Sequence, residues 1–521
     1  MGTTRRILLA ALALAFVAGA PVARGAEPVG AAESFPTNCQ VGEIAAAKEG
    51  GGAWFACFDP DESGYDGHAS AGRVAPNGQV VEYDDASFPR HSFPGKVAVG
   101  GDGSFWMALE SPPDYYGPEP IAPRLARVTP SGETSVIPLS LSHEERILEL
   151  VAAPGGYLWF AGAVPYMDKD VAIWQVSPSG AVSRVPAPLR PNRLPGLVVG
   201  AEGDLWFTGA GSGTVEAPFF RLAPGGTPVE VGGGNGAGQR SLAPDGSIWF
   251  LGGSKAPAVG RITPDGRVID DVAAKIDAEE GTISATVAGA DSSLWFGTHG
   301  FQRPTIGRVT PSGKVESFQH CLVFSQPYFG PERLVRGTEG DIWFTSVESR
   351  NLPHIADPPS IGRVTPDGRI TQIYGLEREP WTIAAGPEGG VYFASDGRAI
   401  QHIGPITGKV NGFYVGRFIR TERDGRSLVT VWVPSAGKVR IKPLALHVGR
   451  GLRGRLPLHA KATTATVGCG TPQVQVRPVG PAARAFREHG LAVETAAVTF
   501  TPRGGTPYTE EATLHLRRPK H

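Results

Sequence analysis

Six residues in the second half of the chain carry side chains suited to proton transfer or metal binding: His299, His320, Glu332, His354, Asp357 and Glu379. Imidazole and carboxylate groups together can hold a divalent cation, or pass a proton between an acid and a base. On that chemistry His299, His320, His354 and Glu379 are candidate catalytic residues, and His299, Asp357 and Glu379 are candidate metal ligands. They are spread over about eighty residues, so no single hairpin gathers them. They would meet only if consecutive units of a repeat brought them to one place. The competing reading is that these are ordinary polar loop residues. A second stretch, "ESPPDYYGPEP" from Glu110, offers Tyr115 and Tyr116 as a surface for a sugar or peptide, or else is a solvated Pro-rich loop.

The elements that would position these residues are repeated. An aromatic anchor recurs at Trp54, Trp106, Trp159, Trp206, Trp249, Trp295, Trp343 and Tyr392, at spacings of 52, 53, 47, 43, 46, 48 and 49 residues. "LVVGAEGDLWF", "RSLAPDGSIWF" and "IAAGPEGGVYF" show the frame: an apolar run, a Gly-rich turn and an aromatic pair. A second frame follows each anchor, as in "GRITPDGRV" and "GRVTPSGKV". Each frame reads as a β-hairpin, because Asp-Gly and Ser-Gly supply the positive φ of a tight turn. Two hairpins in about 48 residues make one four-stranded propeller blade. The chain is therefore expected to be all-β: a β-propeller over residues 32–415, then a small β-sandwich over 417–521. Eight units are counted; seven blades remain possible if a terminal unit is incomplete. "AESFP" before the first unit could supply a closing outer strand.

The tight "PDG" and "TPxG" turns should lie on one face, and the long irregular links on the other. Variable loops on a rigid frame are where function collects. The arginine of the "GRxTP" frame recurs too regularly to mark a site, and is expected to pack its stem and pair with a carboxylate.

The bulk numbers exclude some classes. Net charge is −1, with 49 Lys and Arg against 50 Asp and Glu, so no global field favours nucleic acid. "MGTTRR" followed by "ILLAALALAFVAGA" reads as a signal peptide spanning 1–26, cleaved between Ala20 and Ala26. No later run is long enough to span a bilayer. A secreted or cell-surface monomer is expected. Four cysteines allow three pairings, and Cys39 with Cys57 is the first expectation because they flank one hairpin.

The units "GxDGxLWFT…IGRITPxGxI" resemble the virginiamycin B lyase family, the streptogramin lyases, over residues 32–415. The resemblance implies a propeller that opens an antibiotic ring by elimination, with Mg²⁺ polarising the ester and a His base removing a proton. It implies histidines in "PHGI" segments at the start of a blade's first strand. It also implies glutamates before such a "PH" and two residues past a "WF". This chain departs at those positions. "EPWTIAAG" puts Trp381 where the base is expected, Ser395 stands in place of a glutamate, and "PERLVRG" puts Glu332 where a His would be. Glu379 retains its acidic place. Indole cannot accept a proton, and a Ser hydroxyl is a poor ligand for a hard cation. Glu332 and Trp381 join the two tyrosines as candidate binding residues.

The functional expectation is a secreted propeller that binds an extracellular small molecule, glycan or peptide on its irregular face without catalysis, and with no cofactor. The alternatives are a metal-dependent lyase or hydrolase with a displaced site, which alone would need Mg²⁺, and a structural cell-surface platform. After Gly416 the repeat stops. "LVTVWVP" and "KVRIKPLAL" alternate as strands, "PAARAFREHG" reads as a helix, and a hairpin turns at "PRGG".

Overall fold

The computed structural model describes residues 28–517 apart from 61–66, 85–86, 112–119, 164–170, 190–193, 211–216, 233–237, 253–257, 274–281, 300–304, 319–330, 347–357, 377, 396, 417–418, 422–425, 448–462, 478 and 490. The signal sequence, Tyr115, Tyr116, His320, Cys321, His354 and Asp357 lie outside the described residues.

Eight four-stranded antiparallel sheets follow one another along the repeat region. Blade one is typical: strand a Gln40–Ala46, b Ala53–Pro60, c Gly67–Val74 and d Val80–Tyr83. The first strands of all eight sheets touch their neighbours in an unbroken circle, including the last with the first. Strand a therefore lines the axis, and the count is eight rather than seven. Blade eight is built from both ends of the chain. Thr382–Ala385, Val391–Ala394 and Ala399–Ile403 supply its inner strands. Glu33–Pro36 supplies its outer strand, with Glu33 opposite His402 and Phe35 opposite Ile400.

The aromatic pair explains the ring. Successive strand residues point to opposite faces of a sheet, so the Trp and Phe of one blade pack in opposite directions. Trp54 joins Phe105 and Val128 of blade two, while Phe55 joins Tyr392 and Ile400 of blade eight. Trp343 joins Val391 and Phe393 in the same way. Every anchor is at most 6% exposed, and Tyr392 is fully buried.

The second frame is explained by the same packing. A side chain on Gly72 would place its Cβ 2.1 Å from the Phe55 ring, and one on Gly362 would come within 1.8 Å of Phe344. The following arginine turns to the other face and covers the Trp. Arg73, Arg127, Arg221, Arg261, Arg308 and Arg363 stand 5.1–5.8 Å above their blade's indole. All but Arg73 also meet carboxylates: Asp102, Asp204, Asp245, Asp291 with Glu316, and Asp341. Arg73 donates instead to backbone carbonyls of the a–b turn. These arginines are structural, as their regular spacing suggested.

Cys39 and Cys57 are disulfide-bonded within blade one. After Ile403 the chain enters a separate sheet. Tyr414–Val415, Ile419–Thr421, Ser427–Trp432, Gly437–His447, Thr463–Val467, Leu491–Pro502 and Tyr508–Arg517 pair along one path, and Gln473–Val476 pairs off it with Ser427–Trp432, around a core that includes Val431, Val439, Ile441, Val498 and Phe500. The helix Gly480–His489 packs on the strand that follows it. Asn411 donates to the Thr506 carbonyl and so ties this unit to the propeller. Among the described residues no helix is long and apolar enough to cross a membrane.

Candidate functional site

The tight turns a–b and c–d lie together, so the entrances of the eight a strands open on the irregular face. Most of these entrances are irregular in register. Bulges interrupt pairing at Val41/Ile44, Pro94/Val97, Ile147/Glu149, Ile283/Ala285 and Pro331/Leu334. A bulge frees a backbone amide and re-aims a side chain. Two residues before the one paired to each aromatic anchor, the eight blades present Glu43, Lys96, Glu149, Gly196, Gln239, Ala285, Arg333 and Thr382. This ring of mixed charge at the channel mouth is the candidate site.

Two pairs organise it. Arg333 of blade seven donates to both carboxylate oxygens of Glu43 in blade one, at 3.0 and 3.1 Å. Thr382 of the intervening blade donates to Glu43 and accepts from the Ile44 amide. On the other side Glu149 accepts from the Leu197 amide at 3.0 Å. The equivalence is instructive: Glu149 and Thr382 hold the same register position, and each caps the same amide of the next blade. Stapling adjacent blades is one physical role of the position.

Arg240 breaks the pattern. It is opposite Phe250, a register position held elsewhere by Ile44, Val97, Leu150, Leu197, Leu334 and Ile383. Its guanidinium lies over the α-carbon of Gly196, whose Cβ would fall 1.1 Å from Nη1. It donates to Thr208 at 2.9 Å and stands 5.6 Å over the Phe219 ring. The residue is half-buried overall, but its charged end is enclosed. Burial lowers its pKa to about 10, opposed by the attraction of Glu149. Arg240 thus remains cationic at neutral pH, and the missing side chain of Gly196 leaves room for its guanidinium.

Burial raises the Glu149 carboxyl above its ordinary range, against the pull of the Leu197 amide, Arg240, the Gly196 amide and Lys96. Glu110, at the end of strand b in blade two, is raised by burial as well, while the Ile147 amide, Arg146 and Lys96 lower it. Each carboxyl group therefore holds a proton more readily than a solvated one.

The sequence candidates fall unevenly on this site. Glu332 and Trp381 share one register position in blades seven and eight, beside the ring, and both are exposed. Trp381 is 39% exposed, unlike the buried anchors, and its amide is held by the Ala394 carbonyl at 3.0 Å. Glu379, half-buried, precedes it by two residues. The backbone of His299 pairs with Thr282 at the entrance of blade six. Ser395 is fully buried and donates to Gln401 Oε1 at 2.6 Å.

Residues 229–415 match the model of the virginiamycin B lyase family. The second half of the propeller is similar to that family. Among solved structures, a catalytically inactive virginiamycin B lyase from Staphylococcus aureus with quinupristin is 21% identical, with TM-score 0.43, covering 60% of this chain and 94% of its own. A streptogramin B lyase is 17% identical, with TM-score 0.42, covering 71% and 97%. Regucalcin, a calcium-binding protein from Agrobacterium tumefaciens, is 12% identical, with TM-score 0.31, covering 63% and 88%. No curated protein matches the chain.

At the two positions where the sequence resemblance implies a base and a glutamate, the side chains do not suit magnesium chemistry. Trp381 offers a donor nitrogen only, and the Ser395 oxygen is committed to Gln401. Among the described residues no three His, Cys, Asp or Glu side chains gather as a metal site. Glu43, Lys96, Glu149, Arg240 and Arg333 are not among the sequence candidates, which are histidines and loop residues, whereas these charges sit at strand entrances. The available signal was Arg240 itself, a cation in "GQRSLAP" where six other units place an aliphatic residue and one places Thr286.

Proposed function

We propose that this chain is a secreted propeller that binds an extracellular ligand at the channel mouth of its irregular face, without converting it. The observation that carries the reading is Trp381, a large exposed aromatic residue next in sequence to Thr382, which donates to Glu43 of the Glu43–Arg333 pair. An aromatic platform next to opposed charges suits a small molecule, glycan or peptide with both apolar and polar faces. The same Trp381 stands where the related lyases would need a base, which favours binding over turnover. Quinupristin, present in the structure of the Staphylococcus aureus relative, is the first probe, followed by glycan and peptide panels. A ligand whose affinity falls about tenfold or more in Trp381→Ala, with unchanged melting, supports the reading. If no panel contains a ligand sensitive to Trp381, the mouth is not a binding site.

A second reading rests on Glu149. A carboxyl group raised by burial and facing Arg240 could serve as an acid–base group in a displaced active site. Quinupristin incubated with the purified chain and Mg²⁺ separates the two. Intact antibiotic is the expected outcome. Linearisation abolished in Glu149→Gln would establish the second reading instead.

A further inference from the structure

Charge is divided along the chain. Residues after 416 contain 18 Lys and Arg against 6 Asp and Glu, whereas residues 1–416 contain 31 against 44. A near-neutral total therefore conceals a basic C-terminal unit attached to an acidic propeller. In that unit the strand Gly437–His447 alternates buried Val439 and Ile441 with exposed Lys438, Arg440 and Lys442. Alternate strand residues are about 6.5–7 Å apart on one face, so the three cations form a straight row roughly 13 Å long.

The strands on either side complete the surface. Lys438 lies between Thr466 and Thr501, and Arg440 between Thr464 and Thr499. Thr499 in turn bonds Thr509 at 2.8 Å. Glu511, reached across Ala497, is the acidic group on this side, and Leu444, 40% exposed, ends the row. Among the described residues none of the three cations has an ion-pair partner.

We infer that this face binds a linear anionic polysaccharide and so holds the secreted chain on an extracellular matrix or envelope. The row of cations matches a repeating anion along an extended polymer, and the flanking threonine hydroxyls match sugar hydroxyls. Among the described residues, Lys438, Arg440 and Lys442 and the residues paired to them include no aromatic side chain on which bases could stack. Leu444, the one exposed large apolar residue of this strand among the described residues, gives too little to insert into a bilayer.

The test uses the full secreted chain and heparin as the probe. Unmodified protein should bind at physiological salt and lose affinity steeply as salt rises. Replacing Lys438, Arg440 and Lys442 together by Thr, which suits a strand, should weaken binding about a hundredfold. Arg484→Ser with Arg487→Ser and Arg503→Ser removes the same charge elsewhere in the unit and should weaken it far less. Exchanging Lys for Arg at 438 and 442, and Arg for Lys at 440, should preserve binding, which covers the case where the neutral variant fails to fold. Absence of heparin binding, equal losses in the two neutralised variants, or stronger capture by polyuridylate or phosphatidylglycerol vesicles would each overturn the inference.

Discussion

Arg240 concentrates the contest between structure and function at the scale of one residue. An aliphatic side chain there would need no partner, as six other blades show. Arg240 instead depends on Glu149, on the Thr208 hydroxyl and on the missing side chain of Gly196. Arg240→Leu should leave Glu149 facing less positive charge and cost about 1–3 kcal/mol, less than a fully buried pair because both residues are only half-buried. Adding Glu149→Gln keeps an acceptor for the Leu197 amide and should recover most of that loss in denaturant melts. If the pair serves binding or proton transfer, the recovered double variant will be stable yet inactive toward ligand. If it retains full ligand affinity, the pair is only a staple. Ser395 argues the same way in reverse. Ser395→Glu would force a carboxylate into a fully buried site already satisfied by Gln401. Combined with Trp381→His it should lower stability by about 2–4 kcal/mol without creating a lyase.

At the scale of the element, blade eight shows how one repeat unit can change its parts and keep its place. It replaces the Trp, Gly and Arg of the common frame by Tyr392, Gln401 and His402. His402 stacks on Tyr392 with centroids 4.2 Å apart, as the arginines lie over the indoles elsewhere. Burial holds His402 below its ordinary pKa, although Glu388, Glu33 and the Gly389 backbone pull it upward. The sign follows directly. A base whose folded pKa is depressed favours the folded state fully above its unfolded pKa of about 6.5, and that contribution is lost as pH falls. Melting temperature should therefore drop on acidification below about pH 6.5, more in the unmodified protein than in His402→Gln. Identical profiles would assign the acid sensitivity elsewhere. The repeat itself was legible, because Gly turns and aromatic pairs are local chemistry repeated eight times. The bulges at the strand entrances were not. They depend on how one blade's first strand meets the next, and a register shift of one residue decides which side chain faces the channel. That is why Glu149 and Arg333 were not among the candidates that included Trp381 and Glu332.

The whole molecule is a ring in which each blade buries aromatics of both neighbours, so its weakest point is where the two ends of the chain must meet. The seam is the strand Glu33–Pro36, held to blade eight by backbone pairing and to blade one by Phe35. Phe35 also covers Gly78 of the first blade, where a Cβ would approach its ring to 2.4 Å. One side chain thus spans the join between the first and last units. The join was anticipated from "AESFP", since a closed ring needs one strand from outside its own unit. The charge division between propeller and C-terminal unit was hidden by the near-zero total. Phe35→Ala should cost about 2–3 kcal/mol, somewhat below a fully buried Phe because the ring is half-buried. The loss should appear as one lowered unfolding transition rather than a separate early step, because opening the seam exposes Phe55 and Tyr392, which belong to the cores of both joined blades. Differential scanning calorimetry of the variant distinguishes the cases. A loss below about 0.5 kcal/mol would mean that the disulfide-bearing blade and the inner strands close the ring without this strand. A new low-temperature step would mean that the seam opens on its own.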